Sequence, residues 1–145
     1  MKMLNRVQNG GFEQSTPGST DPSPFWSGTS VLVEFLLNKL LGLNNIRIDP
    51  GGFISQELLP LDSGQLYNCE FAYTHAVFGS TTGTLDVDIT GNSTRSFNTD
   101  RMTNEPYAFY NFNFIATSGP SILTITNNST QVVRLDVISV KPIPL

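Results

Sequence analysis

Apolar and polar residues alternate with a period of two along most of this chain, and a segment with that period buries one side only when it is extended. In TGTLDVDITGN, Leu85, Val87 and Ile89 fall on one side and Asp86, Asp88 and Thr90 on the other, with a glycine at each end to turn the chain. PYAFYNFNFIA separates Tyr110, Phe112 and Phe114 from Phe109, Asn111 and Asn113, and SILTITN and VVRLDVISV alternate in the same manner. GFISQELLPL and QLYNCEFAYTHAVF predict two more strands, joined by a PLDSGQ turn. GSTTGT, TGNST, TSGPS and TNNST recur between the strands, the punctuation of an antiparallel β-sandwich or jelly roll. The expected fold class is therefore all-β. A length of 145 residues suffices for one core and not for two, so residues 1–145 are expected to form a single domain.

One stretch departs from this rhythm. In VEFLLNKLLGLNN, from Val33 to Asn45, Leu36, Leu37, Leu40 and Leu41 recur at near-helical spacing ahead of Gly42. This predicts a short helix, or an apolar loop laid over the sandwich edge. The stretch either covers the core or meets another subunit, and Leu36, Leu40 and Leu41 are the candidate self-association residues, with the apolar tail VKPIPL beside them. The Pro-rich STPGSTDPSP reads as a loop within the domain.

Charge and composition narrow the functional classes. Eight Lys and Arg against twelve Asp and Glu give a net charge of −4, which offers no basic field for a phosphate backbone, so nucleic acid is not an expected partner. No apolar stretch approaches the roughly 18 residues needed to span a bilayer. Cys69, alone in the chain and set in LYNCEFAY, supports neither an internal disulfide nor a thiolate metal site and reads as a small buried hydrophobe. His75 has no serine or cysteine motif beside it, and FGSTTG lacks the lysine of a phosphate-binding loop. Asp86 and Asp88 are an ordinary pair on a solvated strand face. The chain is not expected to be an enzyme.

The order of NGGFE, a Pro-rich loop leading to FWSG, then GGFISQELLPLDSGQLYNCEFAY, LDVDI, YAFYNFNFIA, ILTITNNS and VRLDVISVKPI, carries a family likeness over nearly the whole chain. It resembles the carbohydrate-binding-module-like (galactose-binding-like) jelly rolls appended to many secreted bacterial enzymes and surface proteins. The resemblance implies two antiparallel sheets with the first and last strands adjacent. Tyr67, Cys69, Phe71, Tyr110, Phe112, Phe114, Leu123, Ile125, Leu135 and Val137 would face inward, and Trp26 would pack near the sheet edge. It also implies a structural Ca2+ held by Glu13 and Asp136, a hard cation served by carboxylates and backbone carbonyls. Taken from the residues alone, Glu13 capping backbone donors and Asp136 pairing with Arg134 or Arg47 account for the same carboxylates.

The family's activity is sugar binding, which combines exposed rings with amides and carboxylates. The outward set on the expected strands is Asn68, Glu70, Thr74, Asn111 and Asn113, with Phe109 the outward ring and Tyr107 at a strand end. The candidate glycan-binding residues are Asn68, Glu70, Phe109, Asn111 and Asn113. MKMLNRVQNGG contains no apolar signal segment, so an extracellular or particle-surface location is expected, reached as a mature chain or without a signal peptide. Proteins of virions and spore coats reach the outside in that way. The leading expectation is accordingly a non-catalytic structural or decoration subunit that self-assembles, as a homo-oligomer, on a particle, fibre or surface layer. The alternative is a glycan-binding module whose partner is polysaccharide.

Overall fold

The computed structural model describes residues 4–35, 42–75, 81–102 and 107–144. Its strands are β1 (Ser27–Phe35), β2 (Asn44–Glu57), β3 (Leu66–His75), β4 (Gly83–Ile89), β5 (Arg95–Asn98), β6 (Ala108–Ile115), β7 (Ile122–Ser129) and β8 (Val133–Pro142), with one 3-10 turn at Thr99–Arg101. Every pairing is antiparallel, in the order β5-β4-β7-β2-β8-β3-β6 with β1 on β2. β2 changes partner along its length: Ile46–Ile48 pair with β8, and Phe53–Glu57 pair with β7. The change falls at Pro50, Gly51 and Gly52, and β1 bends with it through a register shift between Thr29 and Val31. A β-carbon on Gly52 would lie 2.7 Å from Thr29 O, so glycine is what lets the two strands turn this corner in contact. The hydrogen-bonded path thus doubles over into two facing sheets, β8-β3-β6 opposite β7-β4-β5, with β1 and β2 shared at the fold: a jelly-roll β-sandwich.

The inward residues of the alternating strands fill the space between the sheets. Tyr67, Cys69 and Phe71 of β3, Leu85 and Val87 of β4, and Leu123 and Ile125 of β7 are fully buried. Phe97 of β5 meets Phe71 edge-on at 5.4 Å and also packs on Tyr110 and Phe112 of β6, joining the far strands of the two sheets. Each large apolar side chain so buried contributes about 1.5–3 kcal/mol. Burial pushes the Cys69 thiol up to about 12, which makes it a packing residue and a poor nucleophile.

Two expectations change. Period two over VVRLDVISV puts Val137 inside with Leu135, but β8 carries an extra residue there: Glu70 pairs with Ser139 while Ala72 pairs with Asp136. Val137, at φ 51, occupies the resulting bulge and is half-buried, and the inward sequence is Leu135, Ile138, Val140. The stretch read as a helix begins and ends in strand, since Val33–Phe35 belong to β1 and Asn44–Asn45 to β2. Leu36, Leu40 and Leu41 lie outside the described residues. The tail VKPIPL continues β8 to Pro142, and Ile143 N–H donates to Leu66 O at 2.9 Å, so it is engaged within the chain's own sheet.

Candidate functional site

The NGGFE stretch runs beside β8. Arg6 N–H donates to Val140 O (2.8 Å) and Ile138 N–H to Gly10 O (3.0 Å), an approach so close that a β-carbon on Gly10 would overlap Ile138 O. Asn9 and Phe12 take positive φ on either side of the glycine pair, and the turn drives Phe12 into the core. There it stacks on Trp26 at 5.4 Å, and the Trp26 indole N–H donates to Asn9 O at 2.9 Å. Glu13 then reaches across Gly42, its Oε1 accepting from Leu43 N–H (2.9 Å) and its Oε2 from Asn44 N–H (2.7 Å). The backbone-capping role weighed for Glu13 is therefore present.

Glu13 and Asp136 line one cavity of about 290 Å³, together with Gly11, Glu70 and Lys141. A β-carbon on Gly11 would sit 3.6 Å from Asp136 Oδ1 and 3.9 Å from Glu13 Cγ, so both carboxylates border the same glycine. Asp136 is fully buried, and its Oδ1 accepts from Val137 N–H at 2.8 Å. Arg134 pairs with Glu34 (2.9 Å) and Arg47 lies 3.2 Å from Asp49, and Asp136 is itself engaged in a further interaction within the fold. Among the described residues, no three His, Cys, Asp or Glu side chains converge as a metal-binding group.

The outward residues of β8, β3 and β6 stand in cross-strand rows set by register. Lys141, Asn68 and Asn113 make one row; Ser139, Glu70 and Asn111 the next; Asp136, Ala72 and Phe109 a third, past the bulge. The five residues expected to bind glycan are thus brought together on one face. Asn68 Nδ2 donates to Asn113 Oδ1 (2.9 Å) and to Asn111 Oδ1 (3.1 Å). Turning both carbonyl oxygens toward Asn68 leaves the NH2 groups of Asn111 and Asn113 directed away from it as donors. Phe109, 51% exposed, stands at the end of this amide ladder.

A fourth row crosses the whole sheet as Leu32, Arg47, Arg134 and Thr74, and one further step in register reaches Tyr107. Glu34 and Asn45 pair in the neighbouring row, in line with Asp136. Glu34, Asn45 and Thr74 are buried, unlike the amide ladder. Glu34 Oε1 accepts from Asn45 Nδ2 and from Arg134 Nε, both at 2.9 Å. Burial, and after it the carboxylates of Asp136 and Glu34, raise the Tyr107 phenol well above its ordinary range against the opposing effect of Arg134. Sequence reasoning placed Thr74 on the outward side and Tyr107 at a strand end, and missed Glu34 and Asn45. The available signal was a single carboxylate inside the apolar run VLVEFLL.

The other reactive side chains are engaged elsewhere. His75 ends β3 with Nδ1 2.9 Å from the Tyr73 hydroxyl, and desolvation lowers its pKa. Asp86 and Asp88 lie on the opposite sheet, bonded to Asn128 (2.6 Å) and to Thr94. Burial works to raise the Asp86 carboxyl, but hydrogen bonds from Ser96, Asn128 and Thr84 outweigh it and lower the pKa. Asp86 therefore lacks the raised pKa that a general acid needs at neutral pH.

No family model matches the chain, and no curated protein matches it. Solved structures do. The enzymatically active domain of tailspike protein 4 of bacteriophage CBA120 superposes with a TM-score of 0.68 at 13% identity, over 96% of this chain and 21% of that one. The chain therefore spans about a fifth of that tailspike structure. A family 16 carbohydrate-binding module matches with a TM-score of 0.65 at 13% identity, over 94% of this chain and 99% of the module. TmCBM61, solved in complex with β-1,4-galactotriose, matches at 0.60 and 18% identity, over 94% and 97%. At such identities the likeness establishes the fold, which is the β-sandwich of carbohydrate-binding modules.

Proposed function

We propose that this chain is a non-catalytic glycan-binding module that holds a polysaccharide along the outward face of β8, β3 and β6. The observation that carries this reading is the amide ladder. Asn68 orients Asn111 and Asn113 so that two NH2 donors project beside Glu70, an acceptor, and Phe109, an exposed ring. Donors, an acceptor and an apolar face are what a pyranose ring requires. The likeness to two carbohydrate-binding modules over nearly their full lengths supports the same reading, with an extracellular or surface setting. It favours glycan binding over the self-assembling decoration subunit, whose contact residues Leu36, Leu40 and Leu41 are not among those described.

Affinity gel electrophoresis tests the proposal. The chain is expected to be retarded in gels containing at least one soluble polysaccharide, and Phe109→Ala combined with Asn111→Ala is expected to abolish the retardation while leaving the melting temperature within a few degrees. Unchanged migration of wild-type protein in every polysaccharide gel would reject the reading.

We further propose that Glu13 and Asp136 hold a structural Ca2+ in the cavity they share. The donors there are oxygens, as a hard cation requires, and each Glu13 oxygen keeps a lone pair after accepting its backbone N–H. With two carboxylates supplied, the remaining ligands would be carbonyls and water. The competing counter-charge in the same cavity is the Lys141 ammonium, and melting that responds to chelator separates the two.

A further inference from the structure

We infer that the cavity between the β4–β5 turn and the edge strand β6 is a subsite for an anionic substituent, a uronate carboxylate or a sulfate ester, on a polysaccharide lying along the amide ladder, and that Arg95 is the residue that binds it. This inference rests on the glycan-binding reading above and names its ligand class. The cavity, about 190 Å³, is lined by Asn92, Ser93, Arg95, Phe112, Asn113 and Phe114. It is smaller than the roughly 300–1,000 Å³ of a site that encloses a whole small ligand, so it fits one sugar ring or its substituent at the end of a longer contact. Asn113 supplies the continuity. It is the last residue of the row Lys141, Asn68, Asn113 before the sheet ends at β6, and it also lines the cavity.

Register explains why an arginine stands there. Arg95 pairs with Val87 and Phe97 with Leu85, so both side chains leave β5 toward the facing sheet. Phe97 packs into the core, whereas Arg95, two residues nearer the turn, lies over its rim with the guanidinium carbon 4.8 Å from the Phe112 ring centroid. A guanidinium held over a ring keeps its in-plane N–H groups for an acceptor beside it. The fold supplies none: among the described residues Arg95 has neither an ion pair nor a side-chain hydrogen bond. By contrast, Arg6 donates to Pro60 O (2.7 Å), Arg134 pairs with Glu34 and Arg47 lies beside Asp49.

The rest of the lining selects the sign of the ligand's charge. Asn113 Oδ1 accepts from Asn68, which leaves its NH2 as a donor. Asn92 Nδ2 makes only a 3.5 Å contact to Thr90 O, and the Ser93 hydroxyl adds a third donor. No carboxylate lines the cavity. Asp88, next to Val87, lies on the opposite face of β4 and is bonded to Thr94. A carboxylate or sulfate placed here meets a guanidinium and further donors with no like charge against it. An ammonium would meet a like charge, and a lone hydroxyl would leave the guanidinium without a counter-charge.

The test measures binding to immobilised galactan, xylan, polygalacturonate, alginate and dextran sulfate by biolayer interferometry. Ionic strength is set at about 0.15 M, where the repulsion of exposed charges beyond roughly 8 Å is largely screened. Wild type is expected to bind at least one of the three anionic polymers. Arg95→Met, which keeps an unbranched stem over Phe112, is expected to weaken that binding about tenfold or more, and Arg95→Lys, which keeps the charge without the planar fork, about three- to fivefold. Both should melt within about 4 °C of wild type, because a ring contact at an exposed arginine stabilises little. Arg101→Met removes the same charge from an exposed residue outside the cavity and is expected to bind as wild type does. Binding to the polyuronates alone assigns the carboxylate, and binding to dextran sulfate alone assigns the sulfate ester. An inward charge on an edge strand also blocks edge-to-edge pairing. An Arg95→Met protein that self-associates yet binds the anionic polymer undiminished would reduce Arg95 to that role and overturn the subsite. Equal weakening by Arg95→Met and Arg101→Met would reduce the effect to net charge and overturn it too. Binding to galactan or xylan with none to the anionic polymers overturns the subsite and spares the glycan-binding reading. No binding to any polymer overturns both.

Discussion

Gly10→Ala and Gly11→Ala differ by one position, yet their expected costs differ several-fold. At Gly10 a β-carbon overlaps Ile138 O, backbone that cannot swing aside, so the N-terminal stretch must lift from β8. Overpacking of this kind costs about 1–3 kcal/mol. Lifting also sacrifices the Ile138 N–H to Gly10 O bond, which adds about 0.5–1.5 kcal/mol. The sum of roughly 2–4 kcal/mol, at about 2–4 °C per kcal/mol for a domain of this size, lowers the melting temperature by about 5–15 °C. At Gly11 the nearest atoms are side-chain atoms at 3.6 and 3.9 Å, ordinary contacts, and the expected change is within about 0.5 kcal/mol. Thermal melts by circular dichroism, with and without chelator, read both variants. Equal shifts for the two, or a Gly10→Ala protein as stable as wild type, would refute the packing of NGGFE against β8.

If Ca2+ occupies the Glu13–Asp136 cavity, chelator lowers the wild-type melting temperature, and Asp136→Asn melts at one temperature with or without chelator; wild-type melting indifferent to chelator would dismiss the metal in favour of Lys141. His75 has its pKa lowered in the folded state by desolvation, so the unfolded chain takes up the proton first, and stability that is full above the ordinary value of 6.5 declines as pH falls below it. Urea midpoints at about pH 7.5 and 5.5 should therefore differ more for wild type than for His75→Gln, and equal differences would show that the ring is not desolvated on folding.

The amide ladder was legible in the sequence because it needs only periodicity: Asn68, Asn111 and Asn113 alternate with buried Tyr67, Cys69, Phe112 and Phe114, whatever strand lies beside them. Glu34 and Asn45 were not legible, because their meeting depends on the β1–β2 register, and β1 opens with the exposed polar residues of SGTS before Val31 and Val33. β5, four residues with Phe97 as its one apolar member, is too short to show any period. Alternation placed Thr74 on the outward side and Tyr107 at a strand end, but the burial of Thr74 appears only when the neighbouring rows are assembled.

Glu13 and Asp136, 123 positions apart, were paired through family resemblance, and the structure supplies the physical reason that spacing lacks. The edge of β8 is covered by β2 as far as Leu135 and by the N-terminal stretch from Ile138 onward. Neither cover reaches across the bulge at Asp136 and Val137, where the edge changes partner. The cavity is that gap, and its residues follow from it: Gly10 and Gly11 because the incoming stretch must approach the backbone, Glu13 because the chain then turns toward Leu43 and Asn44, and Asp136 because it is the last residue in register before the extra one. The irregularity that made the alternation misplace Val137 is thus the feature that opens the carboxylate cavity, and on the same face it separates the exposed amide ladder from the buried rows around Tyr107.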